Sequence, residues 1–258
     1  MTVAQVLEWL DHQAPFATQE AFDNVGLLLG DPQATVARVL FAVDATLPVV
    51  LEAAAWEADL IITHHPLLFG GVKQIRYDTP EGAVLAQLIG ERMNLIAAHT
   101  NLDSAPGGIG DSLALALGLT AIHRTEADPY LRLGTLPQPM NAAALLAHTN
   151  QCLSAHARLY GDASTPLHHV AVGAGAYGEG YAMAAQAGAQ AYVVGEIKHH
   201  ELLAAQALGL VVLETGHHET EAPGITALYH RFQSDAQAAA WPVTAHLTAI
   251  PPYQCTIG

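Results

Sequence analysis

Cysteine and basic residues are scarce in this sequence, and each scarcity excludes a class of protein. The two cysteines among 258 residues, Cys152 and Cys255, are too few and too far apart for a disulfide framework or a thiolate metal site. Nine lysine and arginine residues against 24 acidic residues give a formal net charge of −15, which would repel a nucleic acid backbone. We therefore expect a protein of a reducing compartment that does not bind nucleic acid.

Long apolar runs and secretion signals are also missing. No stretch approaches the uninterrupted apolar length of a transmembrane helix. The segment 2–12 has the pattern of an amphipathic helix, without the basic start and apolar block of a signal peptide. We expect a cytoplasmic protein that makes no membrane contact. Hydrophobic residues nevertheless make up 51% of the chain and charged residues only 13%, which indicates a compact globular fold with surfaces buried between subunits.

Short apolar runs alternate with helical segments along the chain, in two rounds. This alternation indicates βαβ units, and it predicts an α/β protein with two α/β layers and mostly parallel sheets that face a shared metal-binding cleft. A turn-rich segment at 125–129 separates the rounds, so we place the first domain at residues 1–126 and the second at 127–258. The C-terminal part of the second domain can also return to the first. Strands are predicted at 36–43, 60–63, 94–98, 156–160, 169–172, 191–194, 210–213 and 243–249.

Three predicted strands are followed at once by imidazole and carboxylate side chains. Together these groups are the ligands of hydrolytic transition-metal sites, and α/β proteins place active sites past the carboxyl ends of parallel strands. The pattern predicts a metalloenzyme with two metals. The candidate ligands are His64 and His65 after the strand at 60–63, Asp103 after the strand at 94–98, and His217 and Glu221 after the strand at 210–213.

Each candidate ligand also has an ordinary structural interpretation. Pro66 ends strand pairing, so His64 and His65 can both turn into one pocket and bind different metals, or they can be plain strand-end histidines. Asp103 can bridge two cations, or it can belong to an Asx-turn or cap a helix.

His217 and Glu221 are four residues apart and would share a metal if they begin a helix. Alternatively, His217 and His218 form a strand-end pair and Glu221 is a helix-start residue.

Other polar residues near these segments are candidates for proton transfer. His99 is either a partner of the ligands and a proton shuttle or a structural histidine of the following turn. Glu196 and His200 follow the strand at 191–194, where a substrate-facing side chain would lie. The glycine-rich loop at 173–178 either binds a phosphate or forms a tight strand–helix turn.

These motifs together resemble the family named after the Nif-three protein. The resemblance rests on segments 63–67, 98–103 and 216–221, supported by 23–27, 173–178 and 195–200, and it runs from about residue 5 to residue 250. Members are labelled GTP cyclohydrolase I type 2 homologues or dinuclear metal-centre proteins. The resemblance implies a two-domain α/β fold, a homohexameric ring, and two metals per chain held by the five ligands named above.

The function we expect is that of a dinuclear metal-dependent hydrolase acting on a small molecule such as a nucleotide. A metal-activated water would attack the substrate, and GTP ring opening at C8 of guanine is the reaction that the family label suggests. The alternatives are a metal-binding regulatory or scaffold protein and a metallochaperone. Histidine with carboxylate suits zinc, iron, manganese or nickel.

Overall fold

The computed structural model of the chain describes residues 1–125 and 127–253, and Glu126 and Cys255 lie outside the described residues. The described chain divides into two compact units. Unit 1 consists of Met1–Ala105 and Ile225–Gly258, and unit 2 of Pro106–Gly224. In the described part of the chain, no helix is both long and apolar enough to cross a membrane.

The first stretch of unit 1 contains four strands and four α-helices. Threonines begin three of these helices, because Thr2, Thr46 and Thr79 each accept a hydrogen bond from a backbone amide in the first turn. A proline follows Thr46 and Thr79 within that turn. The elements are α1 (Val3–Gln13), β1 (Gly26–Leu29), β2 (Arg38–Ala42), α2 (Leu47–Ala55), β3 (Leu60–Thr63), α3 (Pro80–Gly90), β4 (Asn94–Ala97) and α4 (Thr100–Ser104).

The described residues of unit 2 form six strands and four complete α-helices. Asn141 begins one of the helices by accepting a hydrogen bond from the Ala144 amide. The elements are α5 (Ile109–Ala116), β5 (Thr120–Thr125), β6 (Asp128–Asn141), α6 (Ala142–Leu153), β7 (Arg158–Tyr160), β8 (Pro166–Gly173), α7 (Tyr181–Gln186), β9 (Ala191–Val194), α8 (His199–Ala207) and β10 (Val211–Glu214).

The last helix begins in unit 2 and continues into unit 1, and the last strand belongs to unit 1. Helix α9 (His217–Ala238) contains Pro223. Strand β11 (Thr244–Leu247) pairs in parallel with β2. The five-stranded sheet of unit 1 has the order β1-β4-β3-β2-β11, and all its pairings are parallel except that of β1 with β4.

The sheet of unit 2 is mixed, whereas the sequence predicted mostly parallel sheets. Its six strands have the order β5-β6-β8-β9-β10-β7, and only β9 has parallel neighbours on both sides. The pairings β5–β6, β6–β8 and β7–β10 are antiparallel. The α/β class is confirmed, and the difference arises because β5 and β6 were not predicted as strands.

The turn predicted as the domain boundary lies within unit 2. It connects β5 to β6, which pair as antiparallel neighbours of the same sheet. The structure instead divides near residue 105, after α4, and again near residue 224. Antiparallel pairing of consecutive strands keeps this segment in one unit, so its turn composition marks a hairpin.

Alternating side chains bury both faces of the sheet in unit 2. Ala191 and Val193 of β9 pack in one hydrophobic cluster, while Tyr192 and Val194 pack in another. This is the period-two pattern of a strand covered on both sides. In unit 1, β3 is also buried along its full length. The central strands therefore hold their carboxyl ends in fixed positions.

Candidate metal centre

Three neighbouring parallel strands of unit 1 end at one edge of its sheet, and a polar side chain follows each. Asp44 comes two residues after β2, His64 and His65 follow β3 directly, and His99 comes two residues after β4. The strands are adjacent in the order β4-β3-β2, so these side chains lie together. This is the position at which open α/β sheets bind ligands.

His64 is fully buried, and its ring orientation is determined by a backbone carbonyl. Its Nδ1 lies 2.9 Å from the carbonyl oxygen of Ala98, which can only accept a hydrogen bond. Nδ1 therefore donates this hydrogen bond, which leaves Nε2 on the opposite side of the ring as the candidate coordinating atom. Nε2 lies 3.4 Å from Oδ1 of Asp103, on α4. An imidazole nitrogen and a carboxylate oxygen that face each other are donor atoms that suit a divalent transition-metal ion.

His65 and His99 are oriented in the same way, each by a carboxylate. Nδ1 of His65 lies 2.7 Å from Oδ1 of Asp44, and Nδ1 of His99 lies 2.9 Å from Oδ1 of Asp23. A carboxylate that holds the Nδ1 proton leaves Nε2 of the ring as the coordinating atom, which is the usual arrangement around protein-bound metals.

The three rings form a compact histidine cluster, which we define as His64, His65 and His99. Their ring centroids are separated by 4.9, 5.1 and 5.5 Å. One nitrogen from each ring can be chosen so that all three lie within 4.8 Å of one another. This donor set fits a transition-metal ion, because imidazole nitrogens approach zinc to about 2.0–2.1 Å and need only small movements to converge.

Electrostatics keep the His99 imidazole in its metal-binding form. Burial lowers the pKa of His99, the nearby His64 lowers it further, and the hydrogen bond to Asp23 opposes the change without reversing it. Burial alone raises the pKa of the Asp23 carboxyl. Hydrogen bonds donated by the Thr100 hydroxyl, His99 Nδ1 and the amides of Thr100 and Asn24 outweigh burial and lower that pKa. Asp23 is therefore held as a carboxylate and His99 as a neutral ring.

Unit 2 carries a second group of ligand candidates, the pair His217 and Glu221. Both lie at the start of α9, one turn apart, and Nε2 of His217 is 3.0 Å from Oε1 of Glu221. Nδ1 of His217 lies 3.3 Å from Oε1 of Glu196. The interpretation in which both ligands begin one helix therefore describes the structure. His217 and His218 are consecutive helical residues, so they do not form a strand-end pair.

The glycine-rich loop at 173–178 packs directly against this pair. Gly175 has φ +59°, and a Cβ atom there would collide with the Glu221 carboxylate. The Gly175 amide donates a hydrogen bond to Oγ1 of Thr220, at 3.0 Å. Because this amide is already bonded within the protein, the loop fits the tight-turn interpretation better than that of a phosphate cradle.

The structure separates the three residues predicted to transfer protons. His99 belongs to the histidine cluster, where it is as well placed to bind a metal as His64 and His65. Glu196 is largely exposed and contacts His217. His200 is exposed on α8, and within the described ranges its side chain has no hydrogen bond or ion pair.

Sequence reasoning did not identify the two carboxylates that orient the histidines. Asp44 follows a strand that neighbours β3, so the rule that active sites lie at carboxyl strand ends could have found it. Asp23 precedes β1 and is distant in sequence from His99, and only its place in the segment 23–27 singled it out.

Comparison with known proteins gives one consistent result. Residues 1–251 match the model of the family described as Duf34/NIF3 (NGG1p interacting factor 3). A protein of Clostridium perfringens named GTP cyclohydrolase 1 type 2 homolog is 31% identical over 230 residues, covering 86% of this chain and 88% of that protein. A Streptomyces coelicolor protein of the same name is 31% identical over 258 residues, covering 95% and 90% of the two chains.

A solved structure shows that the likeness extends to the whole fold. The crystal structure of the Staphylococcus aureus protein SA1388 superposes with a TM-score of 0.92 at 27% sequence identity. The match covers 99% of both chains. The two chains therefore share the same fold.

Proposed function

Because the chain belongs to the Duf34/NIF3 (NGG1p interacting factor 3) family, we propose that it is a metal-dependent hydrolase that holds two divalent transition-metal ions. The ligands in this proposal are His64, His65, Asp103, His217 and Glu221, and His99 is a further nitrogen donor beside them. The observation that carries it is the histidine cluster, in which every Nδ1 faces an acceptor that holds its proton.

The donor chemistry supports catalysis over a purely structural role for the metals. Structural zinc sites are usually closed and rich in thiolates, whereas catalytic sites combine histidine and carboxylate and leave positions for water. The described cysteine, Cys152, is an exposed residue of α6 and is absent from both ligand groups. The ligand groups therefore suit a hydrolytic centre, and zinc, iron, manganese and nickel all fit their donor atoms.

In this proposal the side chains of the protein bind the metals, orient the metal-binding histidines and transfer protons. When bound, the metals lower the pKa of water and polarise the bond under attack. Asp44 and Asp23 hold the Nδ1 protons of His65 and His99. Glu196, exposed and 3.3 Å from Nδ1 of His217, is placed to accept a proton at Oε1 and pass it to solvent. The exposed position of His200 gives it no part in this scheme.

For the substrate, we propose a nucleotide, with hydrolytic opening of the guanine ring of GTP at C8 as the first reaction to assay. The names of the two bacterial relatives support this choice. With nine basic residues against 24 acidic ones, bound divalent cations would supply most of the positive charge available to the phosphates.

The test is metal content followed by turnover. Protein purified without a histidine tag or chelators is expected to carry about two transition-metal ions per chain by elemental mass spectrometry. His64→Ala and Glu221→Ala should each lose metal while keeping the wild-type circular dichroism spectrum. His230→Ala, at an exposed histidine of α9, is the matched control and should keep its metal.

The outcomes separate the competing functions. Stoichiometric metal in both ligand variants would refute the ligand assignment. Metal that exchanges freely, without hydrolysis of GTP or model phosphoesters, would favour a metallochaperone or a regulatory protein instead. Chelator-sensitive release of the ring-opened product would support the cyclohydrolase reaction.

We also propose that the protein is a cytoplasmic homohexamer. Light scattering coupled to size-exclusion chromatography should then give six times the 27.1 kDa mass of one chain. A monomer at micromolar concentration would contradict this part of the proposal. Cell fractionation tests the location.

A further inference from the structure

Two exposed aromatic side chains form a pair in unit 1. Phe22 is 63% exposed and Phe69 is 51% exposed, and their ring centroids are 6.2 Å apart with an interplanar angle of 38°. The chain has five phenylalanines, and Phe41 and Phe232 are fully buried while Phe16 is half-buried. The two exposed phenylalanines therefore lie together on the surface and not apart, which scattered surface residues would not require.

This pair lies beside the histidine cluster. The ring centroid of Phe69 is 6.1 Å from that of His99, and the planes meet at 76°, so the rings contact edge to face. Phe22 directly precedes Asp23, the carboxylate that orients His99. One end of the aromatic pair thus contacts a candidate metal ligand and the rest faces solvent.

Buried polar contacts hold the backbone on both sides of the pair. The side chain of Asn24 donates a hydrogen bond to the carbonyl oxygen of Leu68, which joins the segment carrying Phe22 to the segment carrying Phe69. The Asp23 side chain has no exposed surface and accepts hydrogen bonds from His99 and Thr100. The backbone segments that carry the two rings are therefore held beside the histidine cluster.

We propose that Phe22 and Phe69 bind a planar heteroaromatic ring of the substrate by stacking and hold it beside the histidine cluster. This inference rests on the proposed function, because it assigns the recognition of the substrate at the same site. Stacking requires only a π-face, so the pair would accept purines and related bicyclic rings without reading their edges.

The exposed area favours a single ring over a partner protein. Taking about 200 Å² for each phenylalanine side chain, the two leave roughly 230 Å² exposed. A stable protein interface needs about 800 Å² on each partner. The aromatic pair falls well below that size and matches the faces of one bicyclic ring, so a small molecule is the occupant we infer.

The experiment compares two ligands that differ only in the base. Zinc-loaded wild-type protein is titrated with guanosine 5′-monophosphate and with ribose 5-phosphate by isothermal calorimetry. We expect Phe22→Ala and Phe69→Ala each to weaken binding of the nucleotide by about 5- to 150-fold, from about 1–3 kcal/mol of stacking per base. Binding of ribose 5-phosphate should stay unchanged in both.

Two further variants serve as controls. Phe69→Trp keeps an aromatic face and should restore nucleotide binding to at least the wild-type level. Leu115→Ala removes a 64% exposed side chain from α5 in unit 2 and should leave both ligands unaffected. Thermal melts of every variant establish that the fold is retained.

Three results would overturn the inference. The first is equal affinity of the wild-type protein for the two ligands, including no binding of either. The second is unchanged nucleotide binding in both alanine variants. The third is a change of oligomeric mass in those variants, which would identify the pair as a contact between copies of the chain. Metal content and hydrolysis of a phosphoester without an aromatic ring test the proposed function separately, because neither needs Phe22 or Phe69.

Discussion

Removing the Asp44 carboxylate should weaken metal binding without unfolding the protein. In Asp44→Ala, Nδ1 of His65 loses the acceptor 2.7 Å away, so the ring is free to rotate and to move its proton to Nε2. Carboxylates that orient metal-binding histidines typically account for 10- to 100-fold in metal affinity. That range corresponds to about 1.4–2.7 kcal/mol of binding free energy.

The side chains of Asp44 and His65 are 33% and 26% exposed, which shapes the expected result. Water can replace part of the hydrogen bond that His65 loses. We therefore expect the metal affinity of Asp44→Ala to fall by about 10-fold, the lower end of the range. The corresponding loss should be larger for Asp23→Asn, whose side chain has no exposed surface.

The assay is a competition titration in which a fluorescent chelator withdraws zinc from each variant. Asp162→Asn is the control, because Asp162 lies in an exposed turn of unit 2 where it accepts hydrogen bonds from Ser164. Affinities of Asp44→Ala and Asp23→Asn within 2-fold of wild type would refute the claim that these carboxylates prepare the histidines for a metal. A loss of zinc affinity in Asp162→Asn would show that the assay responds to the removal of any carboxylate from the protein.

Further predictions concern the glycine loop, acid stability and a buried ion pair. Gly175→Ala should lower both the melting temperature and the amount of metal retained, because a Cβ atom there would collide with Glu221. Gly188 has φ +80° and open space around it, so Gly188→Ala should show only the backbone cost of about 1–2 kcal/mol. Equal effects of the two substitutions would refute the packing role of Gly175. The folded-state pKa of Asp23 lies below its ordinary value, so its stabilising contribution is complete above about pH 4 and is lost as the pH falls through the folded pKa. Urea titrations of metal-free protein should therefore show a shallower loss of stability below pH 4 for Asp23→Asn than for wild type, and parallel curves would contradict this. Arg132 is buried and donates a hydrogen bond from Nε to Asp111, so Arg132→Ala should lower the free energy of unfolding by about 3–5 kcal/mol, and a loss below 1 kcal/mol would contradict it.

The features predictable from sequence were those with a local pattern. The strands at 60–63 and 191–194 were predicted with the same bounds that the structure has, because each is a short apolar run between turns. The pairing of His217 with Glu221 followed from four-residue spacing on a helix. These signals each lie within one element, so they need no knowledge of the tertiary fold.

The features that were not predicted depend on contacts between distant segments. Strand β6 contains three prolines and a buried arginine, a composition that does not indicate a strand. The arginine can be buried there because Arg132 forms an ion pair with Asp111, which lies on another element. His99 was predicted as a proton shuttle or a structural histidine, and its place in the histidine cluster depends on Asp23, which is 76 residues away in sequence. Pro223 lies inside α9, although a proline in sequence usually indicates the end of a helix. The helix continues there because contacts with the surrounding structure outweigh the local preference.

The anchored Nδ1 atoms of the histidine cluster also have a consequence for conformational entropy. A free histidine side chain loses rotamer freedom when it coordinates an ion, at a cost of about 1 kcal/mol for each side chain. His64, His65 and His99 incur that loss during folding, because their acceptors already restrain the rings. For three side chains the difference is about 3 kcal/mol, or roughly 150-fold in affinity relative to the same ligands on a mobile loop. We therefore expect metal binding to leave the backbone order parameters and the side-chain rotamers of this cluster almost unchanged.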